Sequence, residues 1–244
     1  MNDSTVDLRG GVGRRQTGPP LAPLAAISLG LLVGGLAIGV ALGGIMPLPY
    51  AAGGAVVDYF RTAPVGARTS AIGVFASSVP LAIYAATVST RLRQLGVTAP
   101  GATIALAGGI LAAGSLGLAG LVGWTLSWPE VSADAALVRA LYYLVFLTGG
   151  TGHVVALGLL VAGIAVPSLI LGLLPRWLAW AGLVIAVIAE LTTVVLIWPG
   201  FSVLLPIARF TALVWLIVAG IRLPLRRATR PGSSTPGSHH EAQR

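Results

Sequence analysis

Six long runs of apolar residues separated by short polar segments dominate this chain: approximately Leu24 to Met46, Ser70 to Val88, Ala102 to Leu126, Gly149 to Leu174, Trp177 to Trp198 and Val203 to Leu223. A helix needs ~20 apolar residues to cross a hydrocarbon core of ~30 Å, and each run is close to that length. A helix also satisfies its own backbone hydrogen bonds in lipid, which an isolated strand cannot do. The pattern therefore predicts an all-α fold, a polytopic transmembrane helix bundle with six spans. A further apolar stretch, Ala135 to Leu147, is too short to span and carries Arg139, Tyr142 and Tyr143. It is expected either as an interfacial helix or as an outward extension of the fourth span, with Gly149, Gly150 and Gly152 as the bend.

This layout divides the chain into three regions. Residues 1–20 form an N-terminal segment, 21–223 the six-helix domain, and 224–244 a tail rich in Pro, Gly, Ser and Thr that cannot bury a core and should be disordered. The basic residues Arg9, Arg14 and Arg15 precede the first run, but that run is longer than the apolar core of a signal peptide, so an uncleaved first helix is expected.

Composition agrees with the class: 56% of the 244 residues are hydrophobic and 9% charged, with a mean hydropathy of +0.91. A net charge of +8 raises the question of nucleic acid, yet all fifteen basic residues are Arg and nearly all lie between or beyond the spans. That distribution marks topology. With the N-terminus inside, Arg9, Arg14, Arg15, Arg91, Arg93, Arg176, Arg222, Arg226, Arg227, Arg230 and Arg244 are cytoplasmic, against Arg61, Arg68 and Arg139 outside. Cytoplasmic segments are enriched in Arg and Lys, so both termini are placed in the cytoplasm. The absence of Lys and the abundance of Ala, Gly, Pro and Arg fit a GC-rich bacterial genome, and hence a plasma (inner) membrane. Trp124, Trp128, Trp177, Trp180 and Trp198 fall near predicted helix ends, as interfacial anchors do. The lipid bilayer is the expected partner, and nucleic acid is not.

Candidate chemistry is sparse. Without Cys there is no disulfide, thiolate metal site or cysteine nucleophile. One histidine, His153, lies in the apolar body, which is too few for bis-histidine haem ligation. No H-E-x-x-H or Walker loop occurs, Ser115 does not sit in a G-x-S-x-G elbow, and His239 with His240 in the tail is weak evidence for metal. No cofactor and no metal are expected.

The intramembrane charges are the informative residues, because a charge at that depth is costly and usually has a partner or a task. Glu190 shares a helical face with Ala179, Gly182, Ala186 and Thr193, a face expected to look into the bundle. Arg209 comes on the returning helix after the Pro199-Gly200 turn. Counted at 1.5 Å per residue the two lie at similar depths, so an ion pair is geometrically reasonable. It would either fix the register of the last hairpin or serve as a proton or solute site. Alternatively Pro206 turns Arg209 away or lets it snorkel outward. His153 is read as a hydrogen-bonded packing residue, with a proton relay to Glu190 as the sharper option. Asp58, Arg61, Asp134 and Arg139 could line an outer approach. Gly35, Gly39 and Gly43 recur every four residues and permit close helix packing, within the bundle or in a homo-oligomer.

The stretch from Ala140 to Phe146, the run Gly149 to Gly158, and Leu174-Pro175-Arg176-Trp177-Leu178-Ala179-Trp180-Ala181-Gly182 resemble a group of bacterial six-helix membrane proteins classed as a domain of unknown function. In that group a turn of the type L-P-R-x-L-G-x-x-G joins the fourth and fifth helices; Ala179 stands here where Gly is usual. The resemblance implies the six-helix layout and no activity. Physically, Pro175 ends one helix and pre-sets the next, while Arg176 keeps the turn on the cytoplasmic side.

These readings converge on a non-enzymatic helix-bundle protein acting through packing or partners. A small proton-linked or polar-solute carrier using Glu190 with Arg209 is the alternative, and a lipid-modifying intramembrane enzyme the third.

Overall fold

The structure, a computed structural model, describes residues 19–51, 54–97 and 100–225. The leading segment with Arg9, Arg14 and Arg15 and the tail with His239 and His240 lie outside the described residues. The secondary structure comprises α1 (Leu21–Gly43), α2 (Ala55–Thr62), α3 (Pro64–Gln94), α4 (Pro100–Leu126), α5 (Pro129–Ser132), α6 (Ala135–Phe146), α7 (His153–Leu171), α8 (Arg176–Leu191) and α9 (Leu204–Arg222). Among the described residues, six helical stretches are long and apolar enough to cross a membrane: Leu21–Gly43, Pro64–Gln94, Pro100–Leu126, Ala135–Leu171, Arg176–Leu196 and Pro199–Arg222. The chain is an all-α, multi-pass membrane protein.

Two spans outrun their apolar cores. α3 continues past the apolar run at both ends because Arg supports a helix while its head group finds partners elsewhere. Arg68 Nε donates to Ser127 Oγ at 3.1 Å, and its guanidinium lies 4.9 Å over the Trp128 ring. The stretch 135–147 proves to be an extension of the fourth span. Asp134 caps it by accepting from the Ala136 and Leu137 amides at 2.9 and 3.1 Å. At the expected glycine bend, Leu147–Gly152 forms a π-helical turn that carries α6 directly into α7.

Glycine sets the helix spacing. A Cβ on Gly35 would lie 2.5 Å from Gly73 Cα, and one on Gly43 would lie 2.9 Å from Ala63 Cβ, so α1 and α3 cross at backbone contact. The close approach that Gly35, Gly39 and Gly43 permit is thus made within the chain. α4 meets α3 in the same way, a Cβ at Gly120 falling 2.7 Å from the Phe75 amide nitrogen. α4 and α7 meet where a Cβ at Gly108 would fall 2.5 Å from the Leu160 nitrogen. Such interfaces replace the hydrophobic driving force, which is absent in lipid, with dispersion contacts at close range.

The bundle closes where α9 ends beside the start of α1: a Cβ at Gly220 would stand 2.9 Å from the Ala22 nitrogen. We call this end the terminal face and the other the loop face. On the terminal face Gly172, at φ 66° in the left-handed region, ends α7. Pro175 then accepts from the Leu178 and Ala179 amides (3.0 and 3.1 Å) and starts α8, with Arg176 as its first residue. On the loop face α2 packs Val57 and Phe60 against Leu126, Val138 and Tyr142. The five Trp residues expected as anchors are all exposed, while the sixth, Trp215, is buried.

Candidate functional site

The depth match predicts contact between Glu190 and Arg209, and the structure has none. Arg209 Nη2 instead donates to the Gly149 carbonyl. Glu190 lies exposed at the edge of α8, its Oε1 3.1 Å from where a Cβ on Gly158 would sit. The buried stripe of α8 is Leu178, Ala179, Gly182, Ala186 and Ala189, continuing to Thr192, so Glu190 and Thr193 fall beside it. On α8 itself the inward positions fall to Ala189 and Thr192, so Glu190, about 100° on from Ala189, points to the side; beyond it, rotational phase separates the two charges further. Thr192–Leu196 and Pro199–Val203 are 3-10 segments, and five residues at 3.0 per turn add roughly 100° relative to an α-helix. A count along an ideal helix cannot supply the direction. Gly149 and Gly158, the points where the two charges touch the fourth span, are about 13 Å apart along it.

A double-mutant cycle of Glu190→Gln and Arg209→Gln should therefore be additive to within ~0.5 kcal/mol when unfolding is followed in detergent. Coupling well above that value would place the two side chains in one interaction after all.

The structure brings Arg209 to a different site. A cavity of about 470 Å³ lies near the loop face, lined by α1 (Leu36), α3 (Val74), α4 (Leu116, Ala119), the α6 end and π turn (Tyr142, Val145, Phe146, Gly149, Gly150) and α9 (Leu205, Pro206, Arg209). The remaining lining is Met46 and Leu48 after α1 and Ser202 and Val203 before α9. Leu48, Val203 and Pro206 are exposed, so the cavity opens between α1 and α9, the two helices that meet at the terminal face.

Two tyrosines hold its roof. Tyr142 Oη donates to the Pro47 carbonyl at 2.6 Å. Tyr50 Oη hydrogen-bonds with Ser202 Oγ and lies 3.1 Å from the Pro199 carbonyl, while its ring stands edge-on to Phe146 at 5.9 Å. The segment after α1 is thereby tied to both α6 and the turn before α9.

Arg209 is the charged group in this lining. A π turn replaces i→i−4 bonds by i→i−5 bonds and redirects carbonyls, and π turns recur at functional sites. Here the Gly149 carbonyl is turned toward the guanidinium. Arg209 Nε is buried with no partner, as are Thr151 Oγ1 and His153 Nε2 on the same segment of the fourth span. His153 is fully buried. Its Nδ1 lies 2.9 Å from the Ala112 carbonyl of α4. A carbonyl only accepts, so Nδ1 carries the proton and Nε2 presents a lone pair. His153 thus bonds to α4 and not to Glu190.

Of the outer charges, Arg61 donates to the Ser132 and Ala133 carbonyls at 2.9 and 2.8 Å and Asp134 caps α6, so both are occupied in shaping the loop face. Sequence reasoning missed the cavity itself. Its walls are ordinary Leu, Val and Phe, and the available signal was three separate features, Tyr50, Tyr142 and the glycine cluster, with nothing to show that they converge. No family model matches the chain, and no curated protein and no solved structure matches it.

Proposed function

We propose that this is a non-enzymatic multi-pass protein of a bacterial plasma membrane, with both termini cytoplasmic, that acts by binding a largely apolar molecule in the cavity between α1 and α9. One observation carries the reading: an apolar cavity of about 470 Å³, the size of a small-molecule site, has the Arg209 guanidinium in its lining, held to the protein by a hydrogen bond to the Gly149 carbonyl. The other polar side chains of the lining, Tyr142 and Ser202, hold the roof. The Arg distribution supports the orientation, which places the cavity on the outer side. A carrier built on Glu190 with Arg209 requires the two to share a site, and they face different parts of the bundle. A homo-oligomer through Gly35, Gly39 and Gly43 would have to displace α3.

Because the chain has no Cys, a single thiol reports on the cavity. Val145→Cys should react with N-ethylmaleimide in detergent, and bacterial lipid extract should slow that reaction. Leu213→Cys, in the buried core, should stay unlabelled throughout. Labelling of Val145→Cys at the same rate with and without extract would refute occupancy of the cavity.

A further inference from the structure

The position of the guanidinium within the cavity says more about the ligand, given the binding reading above. A side chain on a helix leans toward the helix N-terminus, and the N-terminus of α9 is at the loop face, so Arg209 reaches outward along its helix. The carbonyl it meets, on Gly149, is 22 residues from Leu171 at the terminal face, about 33 Å of helix. That is roughly the thickness of a hydrocarbon core. Counted along α9, the Arg209 backbone is 13 residues, about 20 Å, from Arg222 at the terminal face. The guanidinium therefore reaches from within the apolar layer toward the loop-face interface, with the apolar walls on its bundle side.

Three further features restrict the ligand. Arg209 makes no ion pair with a carboxylate among the described residues, and its hydrogen bond runs from Nη2 to one carbonyl, so the end of the guanidinium keeps N–H groups for an acceptor in the cavity. A guanidinium pairs best with a planar or tetrahedral oxyanion that takes two of its N–H groups. The remaining lining is apolar apart from the roof hydroxyls, which favours a chain and disfavours a hydrated ion. Leu48, in the segment after α1, and Val203 and Pro206, at the start of the last span, are exposed apolar residues at the edge of the lining, a rim that suits entry of an apolar chain from the bilayer.

From these observations we infer that the cavity receives a single-chain amphiphilic acid, an acyl chain ending in a carboxylate or phosphate monoester. The acid pairs with Arg209, and the chain lies against Leu36, Val74, Leu116 and Val145 before passing out between α1 and α9. An intact two-chain phospholipid would leave one chain outside.

The test uses full-length protein in zwitterionic nanodiscs and 11-(dansylamino)undecanoic acid as the fluorescent probe. The wild type should bind the probe, and palmitate or palmitoyl lysophosphatidic acid should displace it, whereas hexadecanol, acetate and inorganic phosphate should not. Arg209→Gln should weaken binding at least about tenfold, as expected when one member of a desolvated charge pair is removed. Arg209→Lys should fall between. If Arg209→Gln fails to fold, Leu36→Trp, which fills the chain side and leaves the charge in place, should abolish binding of the probe without lowering the melting temperature. Equal displacement by hexadecanol would overturn the acidic class while leaving a binding cavity. Displacement by acetate or phosphate would show a small-anion site instead. Failure of the wild type to bind the probe, palmitate or hexadecanol would overturn both this inference and the binding reading.

Discussion

Gly35→Ala should destabilise the folded protein by ~3 kcal/mol or more, one of the largest effects of any single-methyl change in the chain. A Cβ there would lie 2.5 Å from Gly73 Cα, and the nearest atoms are all backbone, so no rotamer can relieve the overlap. The two helices would have to separate, losing the close-range dispersion contacts that hold membrane helices together. Gly34→Ala, one position along the same helix, is the internal control. A Cβ at Gly34 meets nothing within 4 Å, and Ala is the better helix former, so stability should stay within about 0.5 kcal/mol or rise slightly. Chemical unfolding in detergent of both variants decides the matter. Similar midpoints for the two would mean that α1 and α3 do not cross at Gly35.

Trp215→Ala should cost roughly 3 kcal/mol. The indole is buried, its Nε1 donates to the Leu178 carbonyl at 2.9 Å, and its ring fills the space over Gly182, where a Cβ would fall 2.5 Å from the ring edge. In lipid the transfer part of such a loss is small, but the void and the lost contacts remain. Trp215→Phe keeps most of the ring and loses the hydrogen bond, so it should cost only about 1 kcal/mol. Measured unfolding free energies should rank the two variants in that order. A Trp215→Ala variant as stable as Trp215→Phe would show that the indole does not hold α8 to α9.

Both expectations rest on contacts whose residue types are visible in the sequence and whose partners are not. The repeat of Gly35, Gly39 and Gly43 announces a close helix crossing, since only small residues allow one. It does not say whether the second helix is α3 or another copy of the chain. Trp215 differs from the other five Trp residues only in lying mid-span, so its burial against Gly182 could be suspected but not assigned.

The candidate site shows the same division. Arg209, Glu190 and His153 stand out because polar groups in apolar runs are costly wherever they end up. Their depths can be counted along ideal helices, yet Arg209 and Glu190 meet the fourth span nine residues apart, at Gly149 and Gly158. Direction is another matter, because it accumulates phase through every irregular turn between them. The 3-10 segments 192–196 and 199–203 and the π turn 147–152 each rotate the helix on their C-terminal side, and no local residue preference announces them reliably.

Hydrophobic run length, which the bilayer thickness converts directly into helices, therefore determined six spans and the all-α class from the sequence alone. Glycine spacing determined where helices could touch, through the volume a Cβ would occupy. The tertiary structure decided which helices touch, that Arg209 meets the Gly149 carbonyl and not Glu190, and that Tyr50 and Tyr142 roof an apolar cavity over that guanidinium. Those outcomes depend on rotations summed over many residues and on space left between helices, and neither quantity resides in any single position of the chain.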